Sequence, residues 1–75
     1  MPLINVKLLE GVLTPAQKKD VIRKLTDTMV AIEGENARPV TWVLIKEVKS
    51  GEWGIGGNPL TTSDVKELLA GKSKG

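Results

Sequence analysis

The sequence predicts an α+β protomer: a β-α-β unit with a parallel strand pair, a C-terminal hairpin and a short helix, assembling into an oligomer. Three observations carry this. Apolar residues alternate at period two near the start, and residues 40–45 are β-branched and apolar on both faces. Between them lies a helical repeat long enough for a crossover, so the two strands should run parallel. The third observation is size. A chain of 75 residues buries only about 60% of its unfolded surface when it folds alone. With no Cys for a disulfide and no His for the usual zinc sites, oligomerisation is the remaining staple. The whole chain, 1–75, reads as a single domain, with 71–75 as a flexible tail.

The elements follow in order. In residues 2–9, Ile4, Val6 and Leu8 fall on one face and Asn5 and Lys7 on the other, a half-buried strand closed by Glu10-Gly11. Thr14-Pro15-Ala16-Gln17 is a helix start, with Thr14 as N-cap, Pro15 in the first position and Gln17 completing a capping box. Val21, Leu25, Met29 and Ile32, with Ile22 beside them, mark the apolar side of a helix that stops near Gly34. Val40 to Ile45 forms the second strand, which Lys46 to Lys49 carry toward water. Ser50-Gly51 is a turn, and Trp53-Gly54-Ile55-Gly56-Gly57 reads as a small hairpin. Thr61 to Asp64 offers several caps for a last helix bearing Val65, Leu68 and Leu69, with Gly71 as its stop. A two-stranded parallel sheet with one covering helix leaves a face and both edges open, so the apolar second face of residues 40–45 predicts subunit contacts.

Composition narrows the function. Without His or Cys, the serine-triad base, thiolate nucleophiles and most zinc sites are gone. The pI near 9.1 rests on a net charge of +2, an excess that Lys72 and Lys74 of the tail account for. Two Trp without Tyr or Phe give no stacking platform for single strands, so no nucleic acid is expected. No apolar run approaches the roughly 20 residues of a membrane span, and no signal peptide opens the chain; a cytoplasmic protein is the expectation. The glycines of 51–57 do not match a phosphate loop, and the acidic residues form no ligand-like cluster, so neither metal nor cofactor is expected.

Pro2 is the residue with chemical potential. Methionine aminopeptidases generally remove Met before a small residue, which would leave Pro2 as the N-terminus. A free α-amino group titrates at about 7.7–8.0, and apolar surroundings or a nearby cation lower that value. Such an amine is a neutral general base near pH 7 without histidine. A Met-Pro start is common, however, and does not by itself mark an enzyme.

Pro2-Leu3-Ile4, Leu9-Glu10-Gly11, Gln17-Lys18 and, most tellingly, Gly51-Glu52-Trp53-Gly54-Ile55-Gly56-Gly57 make residues 2–57 resemble the 4-oxalocrotonate tautomerase family, the small-subunit branch of the tautomerase superfamily. The resemblance implies a homo-oligomer, a hexamer built as a trimer of dimers, and a cofactor-free isomerase whose N-terminal proline moves a proton on a small 2-oxo acid or its enol. Pro2 matches the catalytic base. Leu9 lies in a family-like segment and joins the candidate substrate contacts. The best-known members also use one arginine just after the first strand's glycine and another early in the second strand. Here Val12 and Leu13 follow Gly11, and Trp42 occupies the second position; neither replaces an arginine fork. A dicarboxylate substrate is therefore not expected. Trp53 keeps the aromatic position of the hairpin. Trp42 and Trp53 either line an apolar mouth near Pro2 or pack in a core or interface. Arg38 and Lys46 are candidate replacement cations or solvated charges, with Arg38 favoured for its bidentate geometry. Two functions stay open: a tautomerase with Pro2 as base, and a self-assembling or ligand-binding protein that kept the fold with little catalysis.

Overall fold

The computed structural model describes residues 1–71; Lys72 and Lys74, and all of the expected tail after Gly71, lie outside the described residues. The order is β1 (Leu3–Leu9), α1 (Pro15–Glu33), a 3-10 helix (Glu35–Val40), β2 (Trp42–Val48), β3 (Trp53–Ile55), β4 (Asn58–Leu60) and α2 (Thr62–Leu69). β1 pairs with β2, and β3 with β4. Among the described residues, no helix is long and apolar enough to cross a membrane. The described residues pack as two compact units, residues 1–6 with 13–46, and residues 7–12 with 47–71.

The first unit holds α1. Thr14 caps it as expected: the Thr14 hydroxyl accepts from the Gln17 N–H at 3.1 Å and the Gln17 side chain accepts from the Thr14 N–H at 2.9 Å. Gly34 ends it, its N–H donating to the Val30 carbonyl at 2.8 Å. The apolar stripe differs from the expected one at its end. Val21, Leu25 and Met29 are half-buried, but Ile32 is 75% exposed and Val30 is the buried residue at 6%. Two residues turn a helix by about 200°, so Ile32 and Val30 cannot share a side.

Parallel pairing begins with the Trp42 N–H donating to the Pro2 carbonyl at 3.0 Å. The second strand starts later than its composition suggests. Val40 is the last residue of the 3-10 helix and Thr41 its C-cap. Pro39 lacks an N–H for a ladder, and the Thr41 hydroxyl turns back to donate to the Ala37 carbonyl at 2.8 Å. Ile4, Val6, Val43 and Ile45 are half-buried, whereas Leu3, Trp42 and Leu44 of the opposite parity are 55%, 54% and 38% exposed. The exposed sheet face thus carries Leu3, Trp42 and Leu44 beside the polar Asn5, Lys7 and Lys46.

The second unit is tied together around Glu10. Its N–H donates to the Val48 carbonyl at 2.8 Å, continuing the parallel pairing. Its carboxylate accepts from the Ser50 N–H at 3.0 Å, and its carbonyl accepts from the Thr62 hydroxyl at 2.6 Å. The Thr62 N–H in turn donates to the Ser50 hydroxyl at 3.0 Å. Gly11 is needed beside this clasp: its φ is +77°, and a Cβ there would lie 3.2 Å from the Thr62 methyl.

The hairpin reaches further than residue 57, because Trp53, Gly54 and Ile55 pair with Leu60, Pro59 and Asn58. Gly56 and Gly57 both have positive φ, 58° and 83°, the type I′ requirement. In a two-residue hairpin the pair flanking the turn exchanges hydrogen bonds and the next pair does not. Pro59 sits at that next pair, where its missing N–H costs nothing. Thr61 supplies the cap of α2, with Asp64 returning the bond. Among the described residues of this unit Leu9, 5% exposed, is the buried one, while Leu68 and Leu69 on α2 are 54% and 71% exposed.

Candidate active site

Pro2 stands half-buried at the start of β1. The bond from the Trp42 N–H to its carbonyl fixes its backbone against the first residue of β2. The backbones of Pro2 and Trp42 are therefore paired, and the Trp42 side chain is more than half exposed, as is that of Leu3. Val12 and Leu13 are half-buried apolar residues.

Arg38 lies near the end of the 3-10 helix, and its guanidinium is engaged. Its Nε donates to Glu35 Oε1 at 2.7 Å and its Nη1 to Asp27 Oδ1 at 2.8 Å, all on exposed side chains. The hydrogen bond from Arg38 holds the Glu35 carboxyl below its ordinary value of 4.5, and the same bonds raise Arg38 above its already high range. A substrate carboxylate at Arg38 has to compete with two carboxylates of its own chain. Asp20 is similarly held below its ordinary value of 3.8 by its hydrogen bond from Arg23.

Leu9 and Trp53 belong to the second unit. Leu9 commits its side chain to packing. Trp53 is half-buried and, with Lys7, Val48, Glu52 and Gly54, lines a cleft of about 270 Å³. Lys7 is the residue that sequence reasoning passed over. Alternation in β1 marks it only as a solvent-facing lysine, and no local signal says that a hairpin more than forty positions later returns to it. Among the described residues, no group of three or more His, Cys, Asp and Glu is placed to hold a metal ion.

The chain is a β-α-β unit that starts beside half-buried Pro2, followed by a glycine-turned hairpin that carries Trp53. Residues 2–63 match the family model described as tautomerase enzyme. The probable tautomerase K2 of Dickeya dadantii (strain 3937) is 38% identical over 61 residues, covering 81% of this chain and 90% of that protein. A probable tautomerase of Staphylococcus aureus (strain MW2) is 39% identical over 57 residues, 76% of this chain and 90% of the relative. Among solved structures, a 4-oxalocrotonate tautomerase homologue superposes with a TM-score of 0.69 at 33% identity, covering 85% of this chain and 95% of that one. A structure from work on the 4-oxalocrotonate tautomerase isozymes of Methylibium petroleiphilum gives 0.65 at 34% identity, covering 85% and 97%. The chain belongs to the tautomerase family of enzymes. The family match ends in the first turn of α2, so most of that helix lies beyond it.

Proposed function

We propose that this protein is a keto–enol tautomerase acting on a small 2-oxo acid through its enol, with Pro2 as general base once Met1 has been removed. The observation that carries the proposal is that the family match begins at Pro2 itself. The amine nitrogen takes the enol hydroxyl proton as the oxygen becomes a carbonyl and the electron pair of the double bond moves to carbon. The resulting ammonium then returns the proton to that carbon. The sum is an isomerisation with no redox change, so the reaction calls for no cofactor.

Trp42 and Trp53 supply apolar surface for the substrate, and Leu9 shapes the end of β1. Arg38 supplies a cation only by exchanging Glu35 or Asp27 for substrate. With Val12 and Trp42 where the best-known members carry arginine, the substrate is an aromatic or otherwise apolar monocarboxylate. The protein works in the cytoplasm as a homo-oligomer, a trimer of dimers. The exposed Leu3, Trp42 and Leu44, and a core that among the described residues holds only Leu9 and Val30 as buried hydrophobics, support that assembly.

The occupied fork of Arg38 favours a second reading, an assembled ligand-binding protein with little catalysis. Ketonisation of enol-phenylpyruvate separates the two. On samples whose intact mass shows Met1 removed, the wild type should accelerate the reaction and Pro2→Ala should lose about 10²-fold, the lower range for a general base. Equal rates close to the uncatalysed one would overturn the base assignment in favour of the second reading.

A further inference from the structure

The cleft beside Trp53 carries chemistry that the proton-transfer step does not use. Its five lining residues all belong to the second compact unit, so its shape is set within one packed body. Lys7 and Glu52 both line it, and among the described residues neither side chain has a hydrogen bond or ion pair. They bring one positive and one negative charge to the same small space without neutralising each other. Trp53 and Val48, both half-buried, also line it. Gly54 leaves the wall open, since a Cβ there would meet nothing within 4 Å.

We infer that this cleft is a subsite for an organic monocarboxylate with an apolar body, with Lys7 taking the carboxylate and Trp53 and Val48 the body. The inference rests on the tautomerase reading for its substrate and supplies the cation that Val12 and Trp42 do not. An ammonium on a flexible stem binds a carboxylate as a point charge, and a charged hydrogen bond is among the stronger polar contacts. The indole offers a large apolar surface at low entropic cost. Glu52 sets the selectivity: a second carboxylate on the ligand meets a like charge in the same cleft, and like-charge juxtaposition disfavours the wrong partner. The subsite therefore selects against dicarboxylates by the same residues that accept a monocarboxylate.

Phenylacetate is the probe, because it has the carboxylate and the ring but no 2-oxo group to react. Titrated into the wild-type oligomer and followed by 15N NMR, it should saturably shift the Trp53 indole and the amides of Lys7 and Gly54. Lys7→Met should weaken binding by about tenfold, an amount expected for one charge-assisted contact, and Lys7→Arg should restore most of it. Adipate should bind about tenfold more weakly than phenylacetate, and Glu52→Gln should narrow that gap. Absence of saturable shifts at these residues would overturn the subsite. So would unchanged binding in Lys7→Met, or adipate binding as tightly as phenylacetate. The ketonisation assay separates this from the catalytic proposal. A Pro2-dependent rate whose KM is unmoved by Lys7→Met keeps the base and removes the subsite. Lys7-dependent binding without any accelerated ketonisation keeps the subsite and removes the base.

Discussion

The two ends of β1 are held by different means. At its end, Glu10 uses its N–H, its carbonyl and its carboxylate to tie Val48, Thr62 and Ser50. At its start, the Pro2 carbonyl accepts one backbone bond from Trp42, and the neighbouring side chains Leu3, Trp42 and Leu44 face outward. Polar closure is local and finishes within one chain, because hydrogen bonds satisfy a few atoms at a time. Apolar closure needs area, and the first unit does not cover its own. Pro2, the proposed base, thus sits at the end of β1 that a single chain leaves incomplete. In the proposed assembly a neighbouring copy completes it.

The largest test of that contrast is Leu44→Glu. On a face that stays in water, such a change is worth within about 0.5 kcal/mol. On a covered face it buries an unpaired charge. Sedimentation should show the assembly falling to smaller species, with activity lost alongside it. An unchanged mass would break the contrast by showing that this face needs no partner.

The polar end is tested by Gly11→Ala. A non-glycine residue at φ +77° costs about 1–2 kcal/mol, and the methyl also presses on Thr62 at 3.2 Å. The urea midpoint should fall with the slope unchanged. A midpoint equal to wild type would mean that the clasp yields easily and is no more determined than the start of β1.

The smallest effect belongs to the Arg38–Glu35 pair. Glu35 titrates below its ordinary 4.5, so its contribution is complete above that value and is lost as pH falls through the lowered one. Glu35→Gln should melt slightly below wild type at about pH 7, and the gap should close as pH falls below that lowered value. The exposure of all three side chains keeps that gap small. A gap that persists in acid would show that Glu35 acts through packing rather than charge.

How legible each element was follows from how local its causes are. Thr14, Pro15, Gln17 and Gly34 carry the limits of α1 within a few residues of each end, and Gly56-Gly57 carries the hairpin turn. The segment 35–40 gave no such signal. Its 3-10 helix is stapled by Arg38 reaching Asp27, eleven positions earlier, and Val40, apolar and β-branched, looks like strand until that staple is known. Ile32 and Val30 are equally apolar, and only the packed side of α1 tells them apart. At the candidate site, Pro2 and Trp53 stand out by chemistry and family likeness. Lys7 is indistinguishable from any other lysine on a strand.

The sequence by itself determined the strand–helix–strand order, the helix caps, the glycine turn and the family, and it singled out the residue proposed as the base. These depend on neighbours along the chain and on residue chemistry. Only the tertiary structure decided that Arg38 binds its own carboxylates, that Glu10 and Thr62 clasp β1 to α2, and that Lys7 shares a cleft with Trp53. Apart from the Arg38–Glu35 pair, three positions apart, each of those joins residues 11 to 52 positions apart. Contacts at such separations are set by how the elements pack, and neither periodicity nor composition records them.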